Sequence, residues 1–396
     1  MFQDPPSSPL DTPFAGLYIH IPFCFKKCPY CDFYSITDPS LQPRFRDALI
    51  SEMNMVDKND LVYDTLYIGG GTPSVLDDAV LKKVIDTAGQ CFNILSDAET
   101  TLEVNPGTVT MRQLKNYRQA GINRISIGIQ SFNPENLDFL GRIHSVQEAE
   151  NAVKWAQKAG FENIGLDLIY GIPGQTDKLW LKDLQTAVDL RPQHLSCYML
   201  SYEPGTPLHM DLQNRAFTPL PEQRICELYE IAVTFLNTHH YVQYETSNFA
   251  RKDAGSRGTQ SVLTYASRHN MKYWNFVPYT GLGPSAHSFM DQKRLWNHSS
   301  VEKYIEELSA GRLPRAGEEL LNREQQWMEN VYLGLRQTKG IAVDAIEKKF
   351  GINFNARYAG VIADLEEKGL IKSSKERCAL TSRGMLYLDA IAGMFI

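Results

Sequence analysis

Between residues 16 and 200 one pattern recurs: an apolar run rich in β-branched residues ends on glycine or a polar residue and gives way to a stretch with helical spacing. The runs are GLYIHI (16–21), TLYIGGG (65–71), TTLEVNP (100–106), NRISIGIQ (123–130), NIGLDLIYG (163–171) and HLSCYML (194–200). Runs of this length read as strands. The intervening LDDAVLKKVIDTAGQCF and VQEAENAVKWAQKAG read as helices, the second ending on Gly160 as a helix C-terminus should. Strands separated by helices can only pair in parallel through crossovers, so the chain is expected to be α/β. Six such units in sequence predict a parallel barrel or partial barrel with its chemistry at the carboxyl ends of the strands. A flatter doubly wound sheet is the alternative.

The polar residues collect where a barrel would use them. Gly69, Gly70 and Gly71 end the second run, Glu103 and Asn105 the third, Gln130 and Ser131 the fourth, and Asp167 sits in the fifth. Each alone reads as a turn or a cap, but together they look like a site. The glycine triple matches neither the GxxxxGK[ST] nor the GxGxxG phosphate loop, which argues against a nucleoside triphosphate or dinucleotide. A length of 396 residues predicts a large domain with one or two smaller ones. The net charge of −6 supplies no electrostatic reason for bulk nucleic-acid binding. Residues 1–15, polar and proline-rich, read as a flexible segment without the features of a secretory signal. No apolar run approaches bilayer length, so no membrane anchor is expected. The expected compartment is the reducing cytoplasm.

Three of the seven cysteines, Cys24, Cys28 and Cys31, follow the first run in a C-x3-C-x2-C loop. A disulfide would leave one over. Tetrahedral zinc needs a fourth ligand, for which His20 is near in sequence, but the paired CxxC of zinc ribbons is missing. Three thiolates on a 4Fe-4S cluster leave one iron open to a small molecule, so this spacing at a barrel mouth favours the cluster. Cys91, Cys197, Cys226 and Cys378 lie among apolar neighbours and read as buried, unreactive thiols.

YIHIPFCFKKCPYCDF resembles the signature of the radical S-adenosylmethionine (SAM) superfamily, whose CxxxCxxC loop follows the first strand of a (β/α)6 partial TIM barrel. The resemblance implies a 4Fe-4S cluster on Cys24, Cys28 and Cys31 and S-adenosylmethionine chelated to the open iron. It further implies reductive cleavage of the sulfonium to a 5'-deoxyadenosyl radical. YIGGGTPS, LEVNPG, RISIGIQSF, LGRIH, GLDLIYGIPGQT and GLGPSAHSF are similar, in order, to the oxygen-independent coproporphyrinogen III oxidases and their HemW-type relatives. By that resemblance Tyr18, Tyr30, Gly70, Gly71, Thr72, Glu103, Gln130, Arg142 and Asp167 contact S-adenosylmethionine. The chemistry is reasonable, since glycine amides permit close approach, acids accept from an ammonium or ribose hydroxyls, and an arginine forks onto a carboxylate.

Two departures from the oxidases point to the HemW-type haem chaperones. Phe33 stands where the oxidases carry a further cysteine, and the segment before the first run is short. RHNMKYWNF also resembles the HNxxYW pattern associated with haem in that group, which implies haem binding by His269, Asn270, Tyr273 and Trp274. Imidazole is a good axial ligand, and the aromatics offer stacking surface. His287 is a second candidate. The implied partners are haem and apo-haemoproteins, respiratory membrane proteins among them. Two other readings stay open: anaerobic oxidative decarboxylation of coproporphyrinogen III, with hydrogen abstraction from a propionate, and a zinc-stabilised binding module without redox chemistry.

The remaining chain divides into the rest of the barrel domain to residue 215, a proline-punctuated connecting region at 216–317, and a C-terminal unit at 318–396. RKDAGSRGTQSVLTYASRHN is expected to hold a mobile loop leading into the haem motif. In the C-terminal unit a long helix over ELLNREQQWMENVYLGLRQTKGI, two more over VDAIEKKFG and ARYAGVIADLEEKGLI, and a hairpin running into a terminal helix give a winged-helix-like order. From Glu318 onward 11 Lys plus Arg balance 11 Asp plus Glu, so the unit is neutral and a poor binder of phosphate backbones. A structural or docking role is expected of it instead.

Overall fold

In a computed structural model, which describes residues 14–57, 60–253 and 264–395, each of the six apolar runs is a strand. They are β1 (Ala15–Ile21), β2 (Val62–Gly70), β3 (Asn93–Val104), β4 (Arg124–Gln130), β5 (Asn163–Tyr170) and β6 (His194–Met199). All neighbours among them pair in parallel and in sequence order, β1 to β6. This order decides against a doubly wound sheet, whose strand order reverses at a switch point. The crossovers carry α1 (Gln42–Met55), α2 (Asp78–Cys91), α3 (Met111–Gln119), α4 (Pro134–Phe139), α5 (Val146–Lys158) and α6 (Asp177–Asp189). Ser145 and Glu148 form a capping box at the start of α5, and Gly160, at φ 90°, follows its end.

Both faces of the strands are covered. Leu17, Ile19 and Ile21 of β1 pack into the core beneath the helices with Leu66, Ile68, Leu102, Ile125 and Leu166. The opposite, inward face is polar: Tyr18, His20, Thr65, Tyr67, Glu103, Arg124, Ser126, Asp167, His194 and Ser196 occupy the alternate positions. A lumen of this composition suits a polar ligand better than a layered apolar core.

Residues 216–317 extend the same sheet at both edges. After α7 (Pro207–Gln213) and α8 (Glu222–Thr238), strands β7 (Tyr241–Gln243) and β8 (Asn248–Arg251) add antiparallel beside β6. α9 (Arg268–Trp274) leads to β9 (Tyr279–Leu282), which pairs in parallel with β1. The meander β10 (His287–Met290), β11 (Lys293–Asn297) and β12 (Arg315–Leu320) completes that edge. Much of the expected mobile loop, residues 254–263, lies outside the described residues, as do residues 1–13 of the N-terminal segment.

The C-terminal unit opens with a helix at Arg323–Arg336, shorter than expected because Glu318–Leu320 belong to β12. Its small sheet has the order β13 (Ile341–Ala342), β15 (Arg377–Leu380), β14 (Ile371–Ser373). The single helix expected over 356–371 is instead two, Phe354–Arg357 and Ala359–Glu367, parted at Tyr358, whose ring stacks on Trp327 at 5.9 Å. The expected terminal helix is likewise split, at Tyr387.

Candidate cofactor site at the carboxyl ends of the strands

A cavity of about 530 Å³ opens at the carboxyl ends of β2 to β6. Tyr30, Cys31, Gly70, Gly71, Thr72, Glu103, Gln130, Arg142, Asp167 and Asn270 all line it, so strand ends far apart in sequence converge on one space.

The glycine turn after β2 is held by close packing. The Gly71 amide donates to the Ile21 carbonyl at 2.8 Å and the Thr72 amide to that of Phe23 at 2.7 Å, tying the turn to the start of the cysteine loop. A Cβ on Gly71 would lie 2.7 Å from the Phe23 carbonyl oxygen. Gly70 has φ 107°, and a Cβ there would meet the His20 ring at 2.6 Å. Only glycine fits either place.

Glu103 on β3 accepts from Tyr67 at 2.6 Å and from the Gly70 amide at 3.1 Å. Burial, with Asp167 nearby, pushes its carboxyl up to about 7. Asp167 accepts from Ser126 at 3.1 Å, and burial raises it too. Gln130 ends β4 at φ 69°, beyond an irregularity in the β4–β5 register between Gly128 and Gln130. A left-handed, non-glycine residue at a bulge beside a cavity is the kind of local strain found at functional sites. Tyr18 is not among the residues that line the cavity; its hydroxyl lies 3.1 Å from His20 Nδ1 and its ring 6.2 Å from that of Tyr67.

Cys24, Cys28 and Cys31 are free and partly exposed beside this cavity. Cys24 Sγ lies 3.3 Å from Thr72 Oγ1, and Arg142 Nη1 donates to Cys28 Sγ at 3.4 Å while Nη2 donates to the Gly128 carbonyl at 2.8 Å. Burial raises the Cys31 thiol, and the two neighbouring thiols add to the effect. Among the described residues no three His, Cys, Asp or Glu side chains converge on a single-ion site. His20 is committed elsewhere, with Nε2 2.9 Å from the Tyr34 carbonyl, so it offers no fourth ligand to zinc. Three thiols spread along one loop, with a guanidinium beside one of them, fit a multi-iron cluster better than a lone ion.

The structure separates the four residues of the HNxxYW pattern. Asn270 reaches the cavity. His269 is buried, with Nδ1 2.8 Å from Thr65 Oγ1 and Nε2 2.9 Å from the Tyr273 hydroxyl. Both ring nitrogens are thus engaged, and the expected use of His269 as an axial ligand does not fit this placement. α9 instead packs against β1 and β2 at their amino ends, anchored by Arg268 and Lys272 on the buried Asp64 at 3.0 and 2.7 Å. Trp274 points elsewhere, under the Arg336 guanidinium at 4.2 Å. His287 is exposed at the start of β10 and stacked on Trp296.

Tyr67, Arg124, Ser126, His194 and Ser196 also line the cavity, although no motif in the sequence marks them as site residues. Polar residues at every second position of β-branched strands were the available signal, because a fully buried parallel strand would carry apolar side chains on both faces.

Residues 18–187 match the model of the Radical SAM superfamily, and residues 321–387 that of the HemN C-terminal domain. The chain is 36% identical over 386 residues to a Bacillus subtilis protein described as heme chaperone HemW, covering 96% of this chain and 98% of that one. It is 34% identical over 370 residues to the Lactococcus lactis heme chaperone HemW, with 93% of each chain covered. Against the Escherichia coli heme chaperone HemW the identity is 40% over 282 residues, 69% of this chain and 70% of that one. Among solved structures, Escherichia coli coproporphyrinogen III oxidase (HemN), described as a radical SAM enzyme, superposes with a TM-score of 0.80 at 23% identity, covering 97% of this chain and 91% of that one.

Proposed function

The chain belongs to the HemW family and has the radical SAM fold, and from that membership we propose that it is a haem chaperone, binding haem and passing it to apo-haemoproteins. The observation that carries this reading is the similarity over nearly the whole chain to proteins described as haem chaperones. Phe33 supports it: it lines the cavity mouth, 69% exposed, where the oxidases carry a further thiol. The likeness to coproporphyrinogen III oxidase speaks for the fold alone. Among the described residues no helix is long and apolar enough to cross a membrane.

Cys24, Cys28 and Cys31 are the residues that hold a 4Fe-4S cluster, with Arg142 offsetting thiolate charge beside Cys28. Held there, such a cluster would supply one-electron chemistry to S-adenosylmethionine. Glu103 and the Gly70–Thr72 turn receive the ligand's amino group and Asp167 its ribose hydroxyls. Arg142 balances the carboxylate, and Gln130 and Asn270 add neutral polar contacts.

The test is a haem titration of anaerobically reconstituted protein followed by its Soret band, then transfer to an apo-haemoprotein. Saturable binding and transfer are expected. Failure to bind haem with the cluster and S-adenosylmethionine site intact overturns the reading, and conversion of coproporphyrinogen III with a reductant and S-adenosylmethionine would replace it with the oxidase.

A further inference from the structure

We propose that haem is received not at the cluster cavity but in a second groove, of about 450 Å³, between the end of α9 and the C-terminal unit. The inference rests on the haem-chaperone reading and adds the place and chemistry of docking.

The floor of this groove is aromatic and aliphatic. Trp274 and Phe276 form one wall, and Ile341 and Ile346 of the C-terminal unit the other. Its charged lining residues are all cationic: Lys339, Lys349 and Arg377 face it and no Asp or Glu does. Lys349 Nζ lies 4.5 Å over the Phe276 ring and donates a hydrogen bond to the neutral Asn330, at 3.2 Å. Neither Lys349 nor Arg377 forms an ion pair with a carboxylate among the described residues. The Trp274 indole N–H is buried without an acceptor, a costly state that a ligand's oxygen would relieve. Phe276 holds its place with φ 56°, left-handed for a bulky residue, and packs on Phe289 at 4.5 Å.

An apolar floor rimmed by cations, of which Lys349 and Arg377 have no carboxylate partner among the described residues, matches a planar macrocycle whose carboxylates lie along one edge, which is the shape and charge of haem. It also explains the division of the HNxxYW residues. His269 and Tyr273 fix the helix inside the barrel, and Trp274, with one face under Arg336, lines the groove outside it.

The experiment compares haemin binding to the full, cluster-loaded chain with binding to the charge-reversed variant Lys349→Glu/Arg377→Glu, and repeats both with the dimethyl ester of haem. The solvent-facing positions of both residues keep the fold, which circular dichroism and unchanged S-adenosylmethionine affinity verify. The expected result is a loss of tenfold or more in haemin affinity for the variant, a comparable loss for the ester on the unaltered chain, and no further loss when the two are combined. Equal haemin affinity in both proteins overturns the groove while leaving the chaperone reading intact. If the unaltered, folded chain binds no haemin, the chaperone reading fails and the groove falls with it.

Discussion

The Tyr67 hydroxyl donates to Glu103 Oε1 at 2.6 Å while the Gly70 amide donates to Oε2 at 3.1 Å, so both oxygens of one carboxylate are held by a single neighbouring strand, β2. Burial still keeps this carboxyl at about 7. A ligand ammonium favours the ionised form, so S-adenosylmethionine binding should release a proton below that value. Affinity is expected to rise with pH up to about 7 and level off above it. Tyr67→Phe removes a bond that lowers the Glu103 pKa and moves the profile to higher pH; Glu103→Gln flattens it and weakens binding about tenfold or more. Calorimetry in two buffers of different ionisation enthalpy measures the proton directly. A pH-independent affinity between pH 6 and 8 in the unaltered protein would rule out this role for Glu103.

Arg142 touches both Cys28 and the Tyr30 hydroxyl at 3.4 Å. Arg142→Ala should leave the iron-sulfur absorption in place but make the cluster harder to reduce, because a cation beside a thiolate favours the added electron. S-adenosylmethionine affinity should fall with it. A redox titration followed by electron paramagnetic resonance checks the direction, and an unchanged potential would place Arg142 outside the cluster's surroundings.

Gly71→Ala puts a methyl against a backbone oxygen that cannot yield, at 2.7 Å. A cost of about 2 kcal/mol or more is expected. The cysteine loop is pinned to the same turn, so cluster content after reconstitution should drop as well. Iron and sulfide analysis beside denaturant unfolding measures both effects.

His269 stays neutral in the fold, with burial and the nearby Lys272 and Arg124 holding it down to about 3. Its folded pKa is below the unfolded one, so the stability it confers is complete above about 6.5 and is lost as pH falls from there toward 3. His269→Ala should lower stability by about 2–4 kcal/mol by leaving Thr65 and Tyr273 without their partner. The haem Soret position should not move. A shifted Soret band with unaltered stability would put His269 on the iron after all.

Glu52 shows the opposite sign. It is buried on α1, accepts from the Gly283 amide at 2.8 Å, Tyr304 at 2.6 Å and Asn297 at 2.6 Å, and burial pushes it up to about 7. A raised carboxyl pKa means stability that is fully present below the unfolded value and is lost as pH rises through about 7. The melting temperature should therefore decline from pH 6 to pH 8, and Glu52→Gln should reduce that slope. Thermal scans of both proteins across this range decide it.

Local pattern determined a large part of this protein. The six strands, the helices between them and the cysteine loop are legible because period-two and period-3.6 spacing and glycine placement act over a few residues at a time. Ser145, Glu148 and Gly160 bound α5 by the same short-range rules. Tertiary structure alone decided which polar side chains share the lumen, since a residue's inward direction has meaning only once the strands are paired. Gly16 lies beside Tyr279 in the parallel β1–β9 pair, and Thr65 meets His269 at 2.8 Å, contacts that bridge more than 200 residues of chain. That closure engages both nitrogens of His269 and turns Trp274 outward toward the C-terminal unit. Spacing along the chain reveals which residues are near one another in sequence, whereas hydrogen-bond satisfaction in a buried lumen depends on partners that only the closed fold supplies.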